Sequence, residues 1–299
     1  MKNIITISGD IGSGKSSVAT CLNELTGFEV IGTGKIQRSI AADMGITTLE
    51  LNHLSKTDRS VDDKIDSSVV ELGKNKDNLL IDSRLAWNFI PNSFKVYLAV
   101  SDKVAADRVY SASRVDEKNG SLEETESNNI ERRNLEIERF QSLYGVKLND
   151  YSNYDVVIDT SFASPNEIAS KIVEQFNIAK HKTISSNFWV SPSSLFPTQS
   201  IRSFNQDRFK SVNESIKSSG FNSDNPVDII KIDDFIYIWD GHMRTISSCQ
   251  NDISLVPARF VETNIKNFDT QKVCNFTSLS DIYDWEDATG FQFSHYPKK

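Results

Sequence analysis

Cysteine is nearly absent: the 299 residues hold three, Cys21, Cys249 and Cys274. They are far apart and odd in number. That excludes a disulfide framework and any zinc-ligand spacing, and it fits a reducing, cytoplasmic compartment. Long apolar runs are missing too. No stretch is long enough to cross a bilayer, and a strand-like run begins within three residues of the N-terminus, so neither a membrane span nor a signal peptide is expected. Positive charge is in deficit, with 33 Lys and Arg against 41 Asp and Glu and a net charge of −8. Bulk electrostatics therefore give no support to nucleic acid or an anionic membrane as partner, although a local basic groove stays open. No internal repeat or low-complexity tract occurs. What remains has 25% charged residues and enough length for two ordinary soluble domains.

What is present begins at once. Gly9-Asp10-Ile11-Gly12-Ser13-Gly14-Lys15-Ser16 fits the pattern G-x-x-x-x-G-K-[ST] of a phosphate-cradling P-loop. The apolar run Ile4-Ile5-Thr6-Ile7 precedes it and reads as a buried parallel strand. A helical pattern follows, with Val18, Cys21, Leu22 and Leu25 on one face. Gly9, Gly12 and Gly14 let backbone N–H groups turn inward around phosphate oxygens, and the following helix adds its N-terminal N–H groups to the same anion. Asp10, Ser13 and Ser17 complete the expected loop. Lys15 reaches the β- and γ-phosphates and the Ser16 hydroxyl ligates Mg²⁺. ATP and Mg²⁺ are the cofactors this predicts.

Further strands follow at 28–31, 79–82, 95–100 and 155–158, alternating with helical patterns. Five strands in this alternation predict an α/β fold, a parallel sheet covered on both faces. Asp82 ends an apolar strand in the manner of a second magnesium ligand, and Arg84 sits just beyond it over the crevice at the strand ends. Arg38 falls on the first turns of the helix after the second strand. Residues 47–72 read as helices, with Asp62 and Asp66 on one face. Residues 103–144 read as helices rich in arginine (Arg108, Arg114, Arg132, Arg133, Arg139), interrupted by an acidic and polar stretch over 116–129. Such a segment is suited to fold over the phosphates as a lid that excludes water and neutralises charge.

These pieces keep an order. Ile7-Ser8-Gly9 leads through Lys15-Ser16-Ser17 to Gly32-Thr33-Gly34 with Arg38, then to Asp62 through Asp66. Next come Asp82-Ser83-Arg84-Leu85-Ala86, Arg132 through Arg139-Phe140 with Tyr144-Gly145, and Tyr154 through Ser161. The set resembles the cytidylate kinase family, especially its shorter archaeal-type members, over about half of the chain. The resemblance implies a nucleoside monophosphate as acceptor, gripped by Arg38 and Arg84, with Arg132 and Arg139 as catalytic lid arginines. Thr33, Asp62, Asp66, Ser83 and Arg114 are implied at the substrate. Glu136 departs from relatives that carry an aspartate against the sugar. A monophosphate is largely dianionic at neutral pH, so the reaction needs no general base, and the lack of a catalytic His or Cys is in keeping.

Ser164-Pro165-Asn166-Glu167 is a capping box that opens a helix through about Ala179. The first domain is expected over 1–180, a linker over 181–194 and a second, smaller α+β domain over 195–299. In the latter, a helix at 206–218 ended by Gly220, strands at 227–232, 236–239 and 256–261, and the turn Asp240-Gly241-His242-Met243-Arg244 resemble the ParB/sulfiredoxin-like superfamily, together with Pro197, Pro226 and Pro257. That resemblance implies a second phosphate site at Asp240, Gly241, His242 and Arg244, at a helix N-terminus. His242 is expected to be partly solvent-facing, as an acid/base or a phosphate contact. It stands where sulfiredoxin needs cysteine, and Thr198-Gln199-Ser200 replaces the glutamate of the related free-serine kinases.

The expected function is transfer of the ATP γ-phosphoryl to CMP, dCMP or a modified pyrimidine nucleotide. Three alternatives stay open: a kinase for a modified base in DNA, phosphotransfer to a small hydroxylated molecule in the second domain, and a nucleotide-sensing regulatory protein.

Overall fold

A computed structural model describes residues 2–46, 50–51, 59–112, 121–184, 187–232, 235–261 and 279–293, with the side chains of Lys35, Gln37, Arg38, Val61 and Leu279 outside that set. The chain divides into two compact units. One is Met1–Thr160 with Ser164–Ile184, the other Ser161–Ala163 with Ser185–Lys299.

The first unit is built on β1 (Ile4–Gly9), β2 (Glu29–Gly32), β3 (Leu79–Asp82), β4 (Phe94–Ala99) and β5 (Val156–Asp159), all parallel, in the order β2-β3-β1-β4-β5. Every residue of β1 is buried. Ile5, Leu80, Val96 and Ile158 are wholly so, each contributing about 1.5–3 kcal/mol relative to exposure. Two polar residues in β1 find partners. Thr6 Oγ1 meets Ser93 Oγ at 3.1 Å, and Ser8 Oγ donates to the Arg84 carbonyl at 3.1 Å.

Helices α1 (Lys15–Thr26), α2 (Thr33–Asp43), α3 (Arg59–Asn75), α4 (Ala86–Phe89), α5 (Asp102–Ser111), α6 (Leu122–Tyr144) and α7 (Pro165–Ala179) connect and flank these strands. α1 buries Val18, Ala19 and Leu22, whereas Leu25, expected on the same face, is 55% exposed. α7 carries the expected capping box: Glu167 N donates to Ser164 Oγ and Ser164 N to Glu167 Oε2.

The lid region differs from the sequence expectation. The acidic stretch was expected to interrupt the helices through residue 129, yet α6 is one helix of 23 residues from Leu122. Ser121 caps it, accepting from Glu124 N at 3.1 Å, and Glu123 and Glu124 lie against the positive end of the helix dipole. Acidity there starts the helix rather than breaking it. Arg114 lies outside the described residues.

The second unit holds β6 (Phe188–Val190), β7 (Val227–Ile232), β8 (Phe235–Asp240) and β9 (Val256–Phe260), with α8 (Gln206–Ser219), α9 (His242–Gln250) and α10 (Leu279–Thr289). β9 lies between β6, antiparallel, and β7, parallel, while β8 pairs antiparallel with β7. Phe188 and Trp189 fall within the 181–194 segment and, as expected of them there, are docked rather than free, buried in β6. Phe196 bridges to β8 on both sides, through Phe196 N to the Ile236 carbonyl at 2.9 Å and Ile238 N to the Phe196 carbonyl at 2.8 Å. That brings Thr198 beside the β8–α9 turn.

Candidate nucleotide site

The carboxyl ends of β1 and β3, the start of α1 and the flank of α6 converge on the P-loop. Two of its glycines are required by space as well as by conformation. Gly9 has φ 151° and a Cβ there would collide with the Leu98 carbonyl; Gly12 has φ 76° and a Cβ would come within 2.8 Å of the Ala105 backbone. Gly14, also left-handed, caps α1. Ser16 and Ser17 are exposed on the first turn of that helix, a terminus whose N–H groups suit an anion.

Lys15 lies along the loop, its Nζ donating to the Gly9 carbonyl at 3.1 Å and the Asp10 carbonyl at 3.0 Å. Burial, helped by the neighbouring Arg84 charge, pulls its pKa down to about 8. Asp10 serves the loop through its backbone, which also accepts Ser13 Oγ at 2.8 Å. Its carboxylate points away to β4, accepting Tyr97 OH at 2.7 Å and Val100 N at 3.2 Å. Burial raises the Asp10 carboxyl pKa against the opposing effect of these bonds and of Arg133.

Asp82 closes β3 beside Lys15 and Arg84. Burial raises its carboxyl pKa, and its backbone carbonyl accepts Thr33 Oγ1 at 3.1 Å. Ser83 is held by its N–H, which donates to the Ile7 carbonyl at 3.2 Å. Arg84 turns back over the loop: one Nη donates to the Gly9 carbonyl, and Nε lies 3.1 Å from Glu136 Oε2. Arg132 Nε lies 3.6 Å from Glu136 Oε1. Further along α6, Arg139 pairs with Asp62 at 2.7 Å and Tyr144 OH donates to Asp66 at 2.7 Å. The structure thus brings Lys15, Asp82 and Arg84 together at the P-loop, joins Arg132 to Arg84 through Glu136, and ties Asp62 and Asp66 to α6. Arg38 belongs to α2, with its side chain outside the described residues.

Sequence reasoning passed over Tyr97, and it treated Arg133 as one lid arginine among several. Arg133 pairs bidentately with Asp102, at 3.2 Å through its second nitrogen, and adds its charge to Asp10. A tyrosine on an interior strand carries no sequence signal of a polar role.

The profile of the Cytidylate kinase-like family matches residues 4–162. The chain belongs to that family. The kinase is 34% identical to a cytidylate kinase of Methanocella arvoryzae over 177 residues, 59% of this chain and 98% of that one. It is 36% identical over 195 residues to an S-adenosylmethionine-dependent nucleotide dehydratase of Lacinutrix mariniflava, covering 63% of this chain but only 40% of that protein's length. Among solved structures, shikimate kinase from Acinetobacter baumannii in complex with shikimate is similar over 61% of this chain and 97% of its own, with a TM-score of 0.41 and 18% identity. With its P-loop and its relatives, the family member is an ATP-dependent nucleotide kinase.

In the second unit, Gly241 takes φ 107° and opens α9, and a Cβ there would approach Arg244 Nη2 to 2.9 Å. Arg244 Nη2 bonds Asp240 Oδ2 and the Pro226 carbonyl, both at 3.2 Å, while its Nε is buried without a hydrogen-bond partner among the described residues. His242 corrects the sequence expectation, being only 6% exposed. Its Nε2 accepts from Thr198 N at 3.0 Å. The Thr198 hydroxyl, 3.1 Å from the same nitrogen, donates to the Ile238 carbonyl at 2.6 Å. The lone pair of Nε2 is therefore spent within the fold, and the ring pins the turn instead of meeting solvent.

Proposed function

We propose that the first unit transfers the γ-phosphoryl of ATP to CMP, dCMP or a modified pyrimidine nucleotide. The observation that supports this is Arg84 beside Lys15 over the P-loop, with Arg132 joined to Arg84 through Glu136, cations for an acceptor that is itself a phosphate. Gly9 through Ser17 would cradle ATP, with Lys15 moving from the loop carbonyls onto the β- and γ-oxygens. Ser16 and Asp82 fit a Mg²⁺ ion: a hydroxyl and a carboxylate are hard oxygen donors, and the Asp82 carboxylate has no hydrogen-bond donor among the described residues. Bound there, the ion would supply charge neutralisation at the phosphates. Arg84, with Arg38, would hold the acceptor phosphate, and Arg132 and Arg139 would stabilise the charge on the transferring group. Thr33, Asp62, Asp66, Ser83 and Arg114 are assigned to the acceptor's surroundings. The acceptor oxygen is already ionised, so catalysis reduces to alignment and charge compensation.

An acceptor panel tests this: ATP and Mg²⁺ with each ribo- and deoxyribonucleoside monophosphate, reading ADP formed. CMP or dCMP is expected to give the highest kcat/KM. No ADP from either, with ADP from another nucleotide, would move the base assignment and leave the kinase in place.

The dehydratase relative favours a second reading of the acceptor. A kinase 36% identical over 195 residues to a nucleotide dehydratase would act on the nucleotide before it loses water, or on its dehydrated product. A dehydrated cytidine monophosphate belongs in the panel.

We also assign nucleotide phosphate binding to the second unit, at Asp240, Gly241, the backbone N–H of His242 and Arg244, within a ParB/sulfiredoxin-like domain, the His242 ring serving only to hold the turn. The positive end of α9 and the unpartnered Arg244 Nε support it. In the full chain, calorimetry is expected to count two nucleotide sites. Arg244→Ala should leave one, and an unchanged count would remove this assignment.

A further inference from the structure

Two arginines at the mouth of the P-loop share one carboxylate. Arg84 meets Glu136 through two nitrogens, Nε to Oε2 at 3.1 Å and Nη2 to Oε1 at 3.5 Å. Arg132, one turn before Glu136 on α6, approaches the same Oε1 at 3.6 Å. A guanidinium fork receives two carboxylate oxygens in the same geometry as two phosphate oxygens. The fork that the proposed function gives to the acceptor phosphate is thus already filled from within the chain. Arg139 is treated alike, held by Asp62.

The exposure of this contact makes it reversible. The side chains of Arg84 and Glu136 are 25% and 26% exposed, so neither is stranded without water when the pair opens. Arg84 keeps its bond to the Gly9 carbonyl, which fixes the guanidinium over the loop whether or not Glu136 is in place.

We propose that Glu136 is an intramolecular stand-in for the acceptor phosphate. It holds Arg84 and Arg132 in position before the acceptor arrives and yields to a dianion. The exchange keeps each guanidinium paired throughout, with the doubly charged phosphate displacing the singly charged carboxylate. A nucleoside without a phosphate brings no charge with which to displace Glu136. Glu136 therefore keeps the arginines paired while the acceptor site is empty, at the cost of part of the affinity for a phosphorylated acceptor. The inference rests on the kinase reading above.

The test compares the full-length wild type with Glu136→Gln, in calorimetric binding of CMP and dCMP without ATP and in steady-state KM. Both nucleotides are expected to bind about fivefold more tightly to the variant, by a similar factor, the size of one partly exposed ion pair that no longer has to be broken. Inorganic phosphate, as a probe without base or sugar, should gain by the same ratio. Weaker binding of CMP alone would make Glu136 a contact to the sugar hydroxyl and overturn the proposal. Unchanged or equally weakened binding of both would also overturn it, leaving Glu136 a strut for the arginines. Wild-type turnover on the acceptor panel reports on the kinase reading separately. If another nucleotide proves to be the acceptor, the same comparison is made with it.

Discussion

Lys15→Ala is expected to lower kcat for phosphoryl transfer by roughly a thousandfold, the scale seen when a charge aimed at the transferring group is removed. The loss should fall on kcat more than on ATP affinity, because the loop N–H groups and the start of α1 still hold the phosphates. A coupled ADP-release assay on the best acceptor reads it directly. Full activity in this variant would move the chemistry out of the P-loop and into the second unit.

The same lysine has a signature in binding. In the ligand-free chain its pKa is depressed to about 8, chiefly by burial. At pH 8 about half of the molecules carry it neutral, while phosphates beside it favour the charged form and raise its pKa. ATP binding at pH 8 should therefore take up about half a proton. At pH 6.5, where Lys15 is already charged, this contribution should vanish. Affinity should accordingly weaken as pH rises through 8. Calorimetry in buffers of differing ionisation enthalpy measures the uptake, and Lys15→Ala should abolish it. Equal uptake by wild type and variant would assign the proton to another group.

Arg84→Ala is expected to reduce kcat/KM for the acceptor by about a hundredfold, mainly through KM, the scale of losing a bidentate charge-assisted contact. The fold should withstand the change. What anchors residue 84 is its backbone carbonyl, which accepts Ser8 Oγ at 3.1 Å and Trp87 Nε1 at 3.0 Å. Arg84→Lys keeps the charge without the fork and should recover only a small part of the loss. An unchanged KM in Arg84→Ala, with the melting temperature also unchanged, would remove Arg84 from the acceptor site.

Much of this was legible in the chain because it is local. A strand of Ile4-Ile5-Thr6-Ile7 buried on both faces, a glycine loop and a helix starting at Lys15 lie within about twenty residues, and each dictates its own geometry. Asp82 and Arg84 are legible for the same reason: they follow an apolar strand whose parallel pairing with β1 sets them over the loop. The capping box of α7 needs only four residues. The lid was harder. Acidic residues around 123–124 look like a break in a helix when counted by composition, yet they stabilise one when they sit on its first turn.

Partners distant in sequence were not legible at all. Tyr97 and Asp10 meet across 87 residues, Arg84 and Glu136 across 52, and Arg139 and Asp62 across 77. Each residue alone reads as an ordinary solvated or core side chain. His242 is the sharpest instance: its turn looks exposed in sequence, and it is the return of Phe196 and Thr198 along β8 that buries it.

The amino-acid sequence by itself determined the P-loop, the parallel strand-and-helix alternation and the arginines available for phosphate. Those follow from backbone sterics, periodicity and charge within short windows. Only the tertiary structure decided which carboxylate each arginine holds and that Lys15 rests on loop carbonyls. It alone decided that the histidine of the second turn is spent within the fold. Those are matters of distance and desolvation between segments, and no spacing along the chain specifies them.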